Sequence, residues 1–170
     1  MRTIGVSIAI PEPWGSALQD LRAGFGDPLA RAIPTHVTLL PPTEIADDAM
    51  PEVEAHLTRV ADAERTFRMI LRGTGTFRPT SPVVFVQVAL GITDCERLEQ
   101  EVRSGPLLRG LSFPYHPHVT VAHHLPDDVL DRAFAELAGY EAAFDVRGFS
   151  LYEHGADGVW RPVRAFPFGG

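Results

Sequence analysis

The sequence predicts an α+β fold, because segments typical of strands alternate with segments typical of helices along its 170 residues. Each long connection between predicted strands contains a predicted helix, and the resulting β-α-β units fall in two halves of the chain. No stretch with the composition of a linker separates the halves. We therefore expect one domain over residues 1–170.

The elements of the first half follow from short apolar runs and from apolar residues at helical spacing. A β-branched run closed by Pro11 predicts the first strand, and an apolar run between Pro34 and Pro41 predicts the second. Two segments with apolar residues three and four apart predict helices with one face toward the core. The predicted strands are Thr3–Ile10 and His36–Leu40, and the predicted helices are 14–25 and 47–64.

The second half repeats this pattern and ends in a predicted hairpin. Strands are predicted at residues 67–77, 82–90, 117–123, 144–152 and 159–166. Helices are predicted at residues 93–108 and 126–139. The last two strands bracket a turn-rich segment, residues 153–158, which indicates the hairpin.

Composition excludes several classes of chemistry. All 15 basic residues are arginine, so no lysine is available for a Schiff base, a lysyl-adenylate or a P-loop. The single cysteine, Cys95, excludes an internal disulfide framework and a zinc site made of several thiolates, and is expected to be a small buried hydrophobe. A net charge of -7 disfavours binding to long duplex nucleic acid. No apolar run suggests a membrane span, and the first apolar run is too short for a signal peptide, so a cytoplasmic protein without a membrane partner is expected.

A short internal repeat is the most informative feature of the sequence. Residues 36–39 read His-Val-Thr-Leu and residues 118–121 read His-Val-Thr-Val, each in a predicted strand of its own half. Side chains two apart along a strand share a face, so His36 points with Thr38, and His118 points with Thr120. The intervening residues point to the opposite face and are expected to fill the core. Two copies in matched positions favour a functional pair over an ordinary half-exposed strand face.

Through these two motifs the chain resembles the two-histidine (2H) phosphoesterase superfamily, which includes bacterial 2′-5′ RNA ligase and RNA 2′,3′-cyclic phosphodiesterase proteins. The resemblance spans most of the chain and implies a single bilobal domain over residues 1–170. It implies two pseudo-symmetric β-α-β lobes with mostly antiparallel sheets, flanking a central cleft with one motif on each wall. The chain departs from the family at His123, where many members carry arginine, and at Leu40-Pro41-Pro42 after the first motif.

The resemblance also implies an enzyme, a cyclic phosphodiesterase that uses no cofactor and no metal. His36 and His118 are the implied acid–base pair, and Thr38 and Thr120 are the implied donors to phosphate oxygens. By resemblance, His118 activates water and His36 protonates the leaving ribose oxygen, and the reverse reaction would form 2′-5′ linkages. With an ordinary imidazole pKa of ~6.5, one ring is expected to be neutral and the other charged near neutral pH.

The implied substrate is a small nucleotide or an RNA end that carries a 2′,3′-cyclic phosphate, and no obligate protein partner is evident. Phe113 and Tyr115 precede the second motif, where either could stack on a base or pack as an ordinary aromatic residue. His116 and His124 either line the cleft or are surface imidazoles. His56 and His154 are expected to be solvated.

Two other functions remain open from the sequence. One is a metal-dependent enzyme that uses the imidazoles of the His116–His124 segment. The other is a non-catalytic binder of nucleotides or RNA ends, which the two intact motifs disfavour.

Overall fold

Eight strands and four helices make up the computed structural model, which describes residues 1–170. The strands are β1 (Arg2–Ala9), β2 (His36–Ile45), β3 (Phe67–Thr76), β4 (Val83–Leu90), β5 (His118–His123), β6 (Glu141–Val146), β7 (Gly148–His154) and β8 (Trp160–Pro167). The helices are α1 (Trp14–Gly24), α2 (Met50–Asp62), α3 (Ile92–Val102) and α4 (Asp127–Glu136). Short 3₁₀ turns lie at Asp47–Ala49 and Gly105–Leu107. No helix is both long and apolar enough to cross a membrane.

The strands form two antiparallel four-stranded sheets, in the orders β2-β1-β7-β8 and β5-β4-β3-β6. The units β1-α1-β2 and β4-α3-β5 occupy matching places, and each ends in an edge strand that begins with a motif histidine. This arrangement confirms the predicted α+β class with two related lobes. We call the lobe that contains β1 and β2 lobe 1, and the lobe that contains β4 and β5 lobe 2.

The two lobes are interlocked by their crossover helices. Helix α1 of lobe 1 packs against β5 of lobe 2, helix α3 of lobe 2 packs against β2 of lobe 1, and β2 also contacts β5. One apolar cluster of 36 buried residues extends through both lobes. It includes Val37, Leu39, Val119 and Val121, which are at most 1% exposed, so the inward face of each motif strand is core as predicted. The packing therefore places the two motif strands side by side.

Strand β2 is longer than predicted, because it continues through Pro41-Pro42 to Ile45. Proline cannot donate to a ladder, but β2 is an edge strand and the two prolines occupy an irregularity in its pairing with β1. Helix α3 is shorter than predicted and ends at Val102. The reason lies in Gly105, whose φ is +57°, and in the proline that follows it.

The predicted strand 144–152 is wrong, because the chain changes sheets within it. Strand β6 pairs with β3 in lobe 2, whereas β7 pairs with β1 and β8 in lobe 1. The crossover needs glycine, since a Cβ on Gly148 would lie 2.5 Å from the carbonyl oxygen of Phe166. The predicted hairpin around residues 153–158 is present as β7 and β8.

A buried ion pair joins helix α1 to the other lobe. The Nε of Arg22 donates to Oδ2 of Asp27 at 2.7 Å, and the same oxygen accepts from the backbone N–H of His123 at 3.1 Å. Asp27 Oδ1 accepts from the backbone N–H of Leu29, so both carboxylate oxygens are satisfied. Removing one member of a buried pair leaves an uncompensated charge.

We predict that Asp27→Ala lowers the free energy of unfolding by about 3–5 kcal/mol, because Arg22 loses its buried partner. The matched control is Asp20→Ala, which removes an exposed partner of Arg31 and should cost about 0–1 kcal/mol. Urea denaturation of the three proteins measures both effects. Equal losses for the two variants would contradict the interpretation.

Candidate active site

The four motif side chains occupy equivalent positions on the two edge strands. His36 pairs with Ala9 and Thr38 with Ser7 on β1, while His118 pairs with Gln87 and Thr120 with Phe85 on β4. All four motif residues are half-buried, and the residues between them are buried. The strand alternation thus gives each lobe one histidine and one threonine on the same accessible face, as the motif predicts.

Each motif histidine makes the same hydrogen bond to the backbone two residues before it, just ahead of its strand. Nδ1 of His36 lies 2.7 Å from the carbonyl oxygen of Pro34, and Nδ1 of His118 lies 2.7 Å from the carbonyl oxygen of His116. A carbonyl oxygen can only accept, so Nδ1 carries the hydrogen in both rings. In the neutral tautomer, Nε2 is therefore left with a lone pair, and neither Nε2 has a hydrogen-bond partner within the protein. Each ring is oriented by the backbone to offer Nε2 as a base.

The pKa values of both imidazoles lie below the ordinary range. Burial lowers the pKa of His36 to about 4, and the positive charges of Arg22 and His118 lower it further, against the raising effect of the Pro34 hydrogen bond. Burial also lowers the pKa of His118, with a contribution from the charge of His116. The lowered pKa values favour the neutral form of both rings at neutral pH in the free protein. The expectation of one neutral and one charged ring stays a prediction.

Two interactions bring the motifs into one place. Strands β2 and β5, which carry the two motif histidines, contact each other across the interlobe junction. The hydroxyl of Tyr115, which precedes β5, donates to the backbone carbonyl of Thr38 at 2.8 Å. The loop before the second motif is thereby tied to the strand of the first motif.

The aromatic residues predicted beside the second motif have separate places. Tyr115 packs against the hydrophobic core and uses its hydroxyl to hold Thr38, so its ring has a structural role. Phe113 is 69% exposed in the preceding loop, and its stacking on a base stays a prediction.

His118 is instead surrounded by aromatic rings, and the sequence did not place two of them, Phe77 and Phe85, at the site. Phe77 and Phe85 lie with their ring centres 4.9 and 5.2 Å from that of His118, and His116 lies 6.0 Å from it. Phe85 pairs with Thr120, so its place beside the second motif could be predicted once the register of β4 and β5 is known.

Beside His36 there is a cavity of about 100 Å³. Its lining comes from β1, β2, β7 and β8 and includes Gly5, Ser7, His36, Thr38, Tyr152 and Trp160. Arg22, whose charge acts on His36, was also missed, because nothing in the helix pattern distinguishes it from a surface arginine. No motif in the sequence indicates the cavity or the position of Arg22.

The remaining histidines do not gather into a metal site. His123 and His124 stack on each other with ring centres 3.8 Å apart, and His124 is exposed. A register irregularity in the pairing of β5 with β4 interrupts the strand alternation before His123, which is half-buried. No group of three or more His, Cys, Asp or Glu side chains could hold a metal ion. The donor set of the His116–His124 segment therefore does not fit a metal.

The structure places the other singled-out residues as follows. Cys95 is fully buried, as expected. His154 is exposed, as expected, at the end of β7. The expectation that His56 is solvated is wrong, because the ring is 6% exposed and its Nε2 lies 3.1 Å from the carbonyl oxygen of Val102. His56 thus joins helix α2 to the end of α3.

Comparisons with known proteins give matches over most of the chain. Residues 10–158 match the model of the 2′-5′ RNA ligase superfamily. A relative from Geobacillus sp. (strain WCH70), named "Putative phosphoesterase", is 28% identical over 140 residues, which cover 81% of this chain and 80% of the relative. The crystal structure of TT0787 from Thermus thermophilus has a TM-score of 0.72 at 26% identity, covering 100% of this chain and 99% of that one. E. coli LigT complexed with 3′-AMP has a similar fold, with a TM-score of 0.67 at 19% identity and coverage of 99% of each chain.

We predict that an NMR titration of the free protein gives a pKa of about 4 for His36 and a pKa below the ordinary value for His118, because burial disfavours both imidazolium forms. Nitrogen chemical shifts at neutral pH should show Nδ1 protonated in both rings. Inorganic phosphate should raise both pKa values, since an anion favours the charged imidazole. Titration of either ring at or above ~6.5 in the free protein would contradict the prediction.

Proposed function

Because this chain belongs to the 2′-5′ RNA ligase superfamily of phosphoesterases, we propose that it hydrolyses 2′,3′-cyclic phosphates by acid–base catalysis between His36 and His118. The observation that carries the proposal is the matched pair of imidazoles, each locked by Nδ1 with Nε2 free. Opening a cyclic phosphate requires a base for water and an acid for the leaving oxygen, and two such rings supply one of each.

Phosphate binding is the proposed role of the two threonines. Neither the Thr38 hydroxyl nor the Thr120 hydroxyl makes a hydrogen bond within the protein, so both are free to donate to non-bridging phosphate oxygens. Their backbone positions are fixed by the ladders to β1 and β4, and the Thr38 carbonyl is also held by Tyr115. Donors that are positioned beforehand need no reorganisation as charge develops on the phosphate.

The proposed chemical step moves one proton in and one proton out. Nε2 of His118 takes a proton from water as the water oxygen bonds to phosphorus. The bond between phosphorus and one ribose oxygen breaks, and Nε2–H of His36 protonates that oxygen. The products are a ribose hydroxyl and a phosphomonoester on the neighbouring ribose oxygen. The reverse reaction at the same two histidines would join a hydroxyl to a cyclic phosphate, which is the proposed basis for 2′-5′ ligation.

Substrate binding supplies the acid in this mechanism. Burial lowers the pKa values of both rings and so favours their neutral forms in the free protein. A phosphate anion between the rings favours an imidazolium, and one proton shared by the pair is what the reaction needs.

Small substrates and RNA ends are the proposed ligands. The net charge of -7 repels a long polyanion, and attraction to phosphate is confined to the site. The complex of the structurally similar LigT with 3′-AMP supports a nucleotide of this size. No metal enters the proposed mechanism, since acid, base and phosphate donors all come from the chain.

We predict that His36→Ala and His118→Ala each lower kcat for a 2′,3′-cyclic nucleotide at least roughly 10²-fold, because each removes one of the two proton-transfer groups. The double variant should be little worse than either single one, since the pair acts as a unit. Thr38→Val and Thr120→Val should cost roughly 10-fold to 10³-fold. Steady-state hydrolysis, with the product isomer identified, measures these effects.

The matched control is His116→Ala, which removes an imidazole near that of His118. His116 belongs to neither His-x-Thr motif, so its loss should have a milder effect. Full activity in His36→Ala together with a severe loss in His116→Ala or His124→Ala would contradict the assignment of His36 and His118 as the catalytic pair. Loss of turnover on chelation, restored by one divalent metal, would support the metal-dependent alternative instead.

A further inference from the structure

The exposed face of lobe 1 has a low floor between two walls. The floor is β1, where Gly5 and Ser7 carry almost no side-chain bulk. One wall is β2, with His36 and Thr38, and the other is formed by Tyr152 of β7 and Trp160 at the start of β8. The cavity of about 100 Å³ lies between these walls. It therefore opens directly beside one half of the proposed phosphate site.

Lobe 2 fills the equivalent space. Ser7 lies opposite Thr38, and the residue in the matching position opposite Thr120 is Phe85. The ring of Phe85 packs against Phe77 with centres 4.5 Å apart and lies so close to Gly75 that a Cβ there would be 2.6 Å from it. The two motifs are related by pseudo-symmetry, but their surroundings differ. The space beside His36 is open, whereas the space beside His118 is occupied by aromatic rings.

Trp160 is held in place as one wall of the open side. Its backbone N–H donates to the carbonyl oxygen of Ala32 at 2.8 Å, and the ring of His154 lies 4.8 Å from the indole. The indole lies over Gly5, where a Cβ would come 3.3 Å from the ring. The side chain remains half-buried and accessible from the cavity. An aromatic plane fixed in this way beside a phosphate site is suited to stacking on a nucleobase.

We propose that this cavity is a nucleoside subsite, in which the base of the substrate stacks on Trp160 while its phosphate lies between the two motifs. The inference rests on the proposed function and adds that the substrate is a nucleotide whose nucleoside lies on the lobe 1 side. The leaving ribose oxygen then faces His36, and water approaches from the side of His118. This placement agrees with the roles that the proposed function gives to His36 and His118.

The test measures binding without turnover. The chain has two tryptophans, so a Trp14→Phe variant leaves Trp160 as the sole indole fluorophore. We expect 3′-AMP to quench its emission, whereas inorganic phosphate, which lacks a base, should not. Trp160→Ala should weaken 3′-AMP binding measured by calorimetry roughly 10-fold to 100-fold, with phosphate binding unchanged, and Trp160→Phe should restore most of the loss. Val163→Ala, on the exposed side of β8, is the matched control.

The outcomes separate this inference from the proposed function. Quenching by 3′-AMP in a protein that does not hydrolyse cyclic phosphates would support the subsite and overturn the proposed reaction. Equal affinities of the Trp160→Ala variant and the parent for 3′-AMP would overturn the subsite, whether or not hydrolysis is observed. A loss of 3′-AMP affinity in Phe113→Ala but not in Trp160→Ala would place the base on the loop before β5 and also overturn it.

Discussion

The site depends on one short hydrogen bond that occurs twice. In each lobe, Nδ1 of the motif histidine donates at 2.7 Å to a carbonyl oxygen two residues earlier. This bond determines which nitrogen carries the hydrogen and leaves Nε2 free, and in the proposed mechanism it holds the ring orientation while the proton moves at Nε2. The carbonyls lie just before the edge strands β2 and β5, so the fold itself provides the orienting group that many acid–base sites obtain from a carboxylate.

The interlocked packing explains how the two motif strands come to lie side by side. Each crossover helix packs on the motif strand of the other lobe, and the inward faces of both strands belong to one apolar cluster. Burial that stabilises this junction also desolvates the imidazoles and lowers both pKa values. The packing that holds the motifs together therefore also disfavours the charged forms of His36 and His118 in the free protein.

Strand alternation allowed the sequence to predict the four motif residues and their shared faces, because a His-x-Thr pattern in a strand leaves little geometric freedom. The continuation of β2 through Pro41-Pro42 was missed, since edge position and pairing irregularity are properties of the sheet and not of the segment. The change of sheet at Gly148 was missed for the same reason. Trp160 and Arg22 approach the site from distant segments, and no spacing rule connects them to the motifs.

The dependence of kcat/KM on pH tests the central claim most directly, because it reports ionisations of the free enzyme. Two imidazoles with lowered pKa values require activity to fall at low pH as the base gains a proton, and to fall at high pH as the acid loses one. The account therefore predicts a bell-shaped profile with its maximum below pH ~6.5, the ordinary pKa of histidine. A profile that rises through neutral pH to a plateau, in the parent and in His36→Ala alike, would contradict acid–base catalysis by this pair.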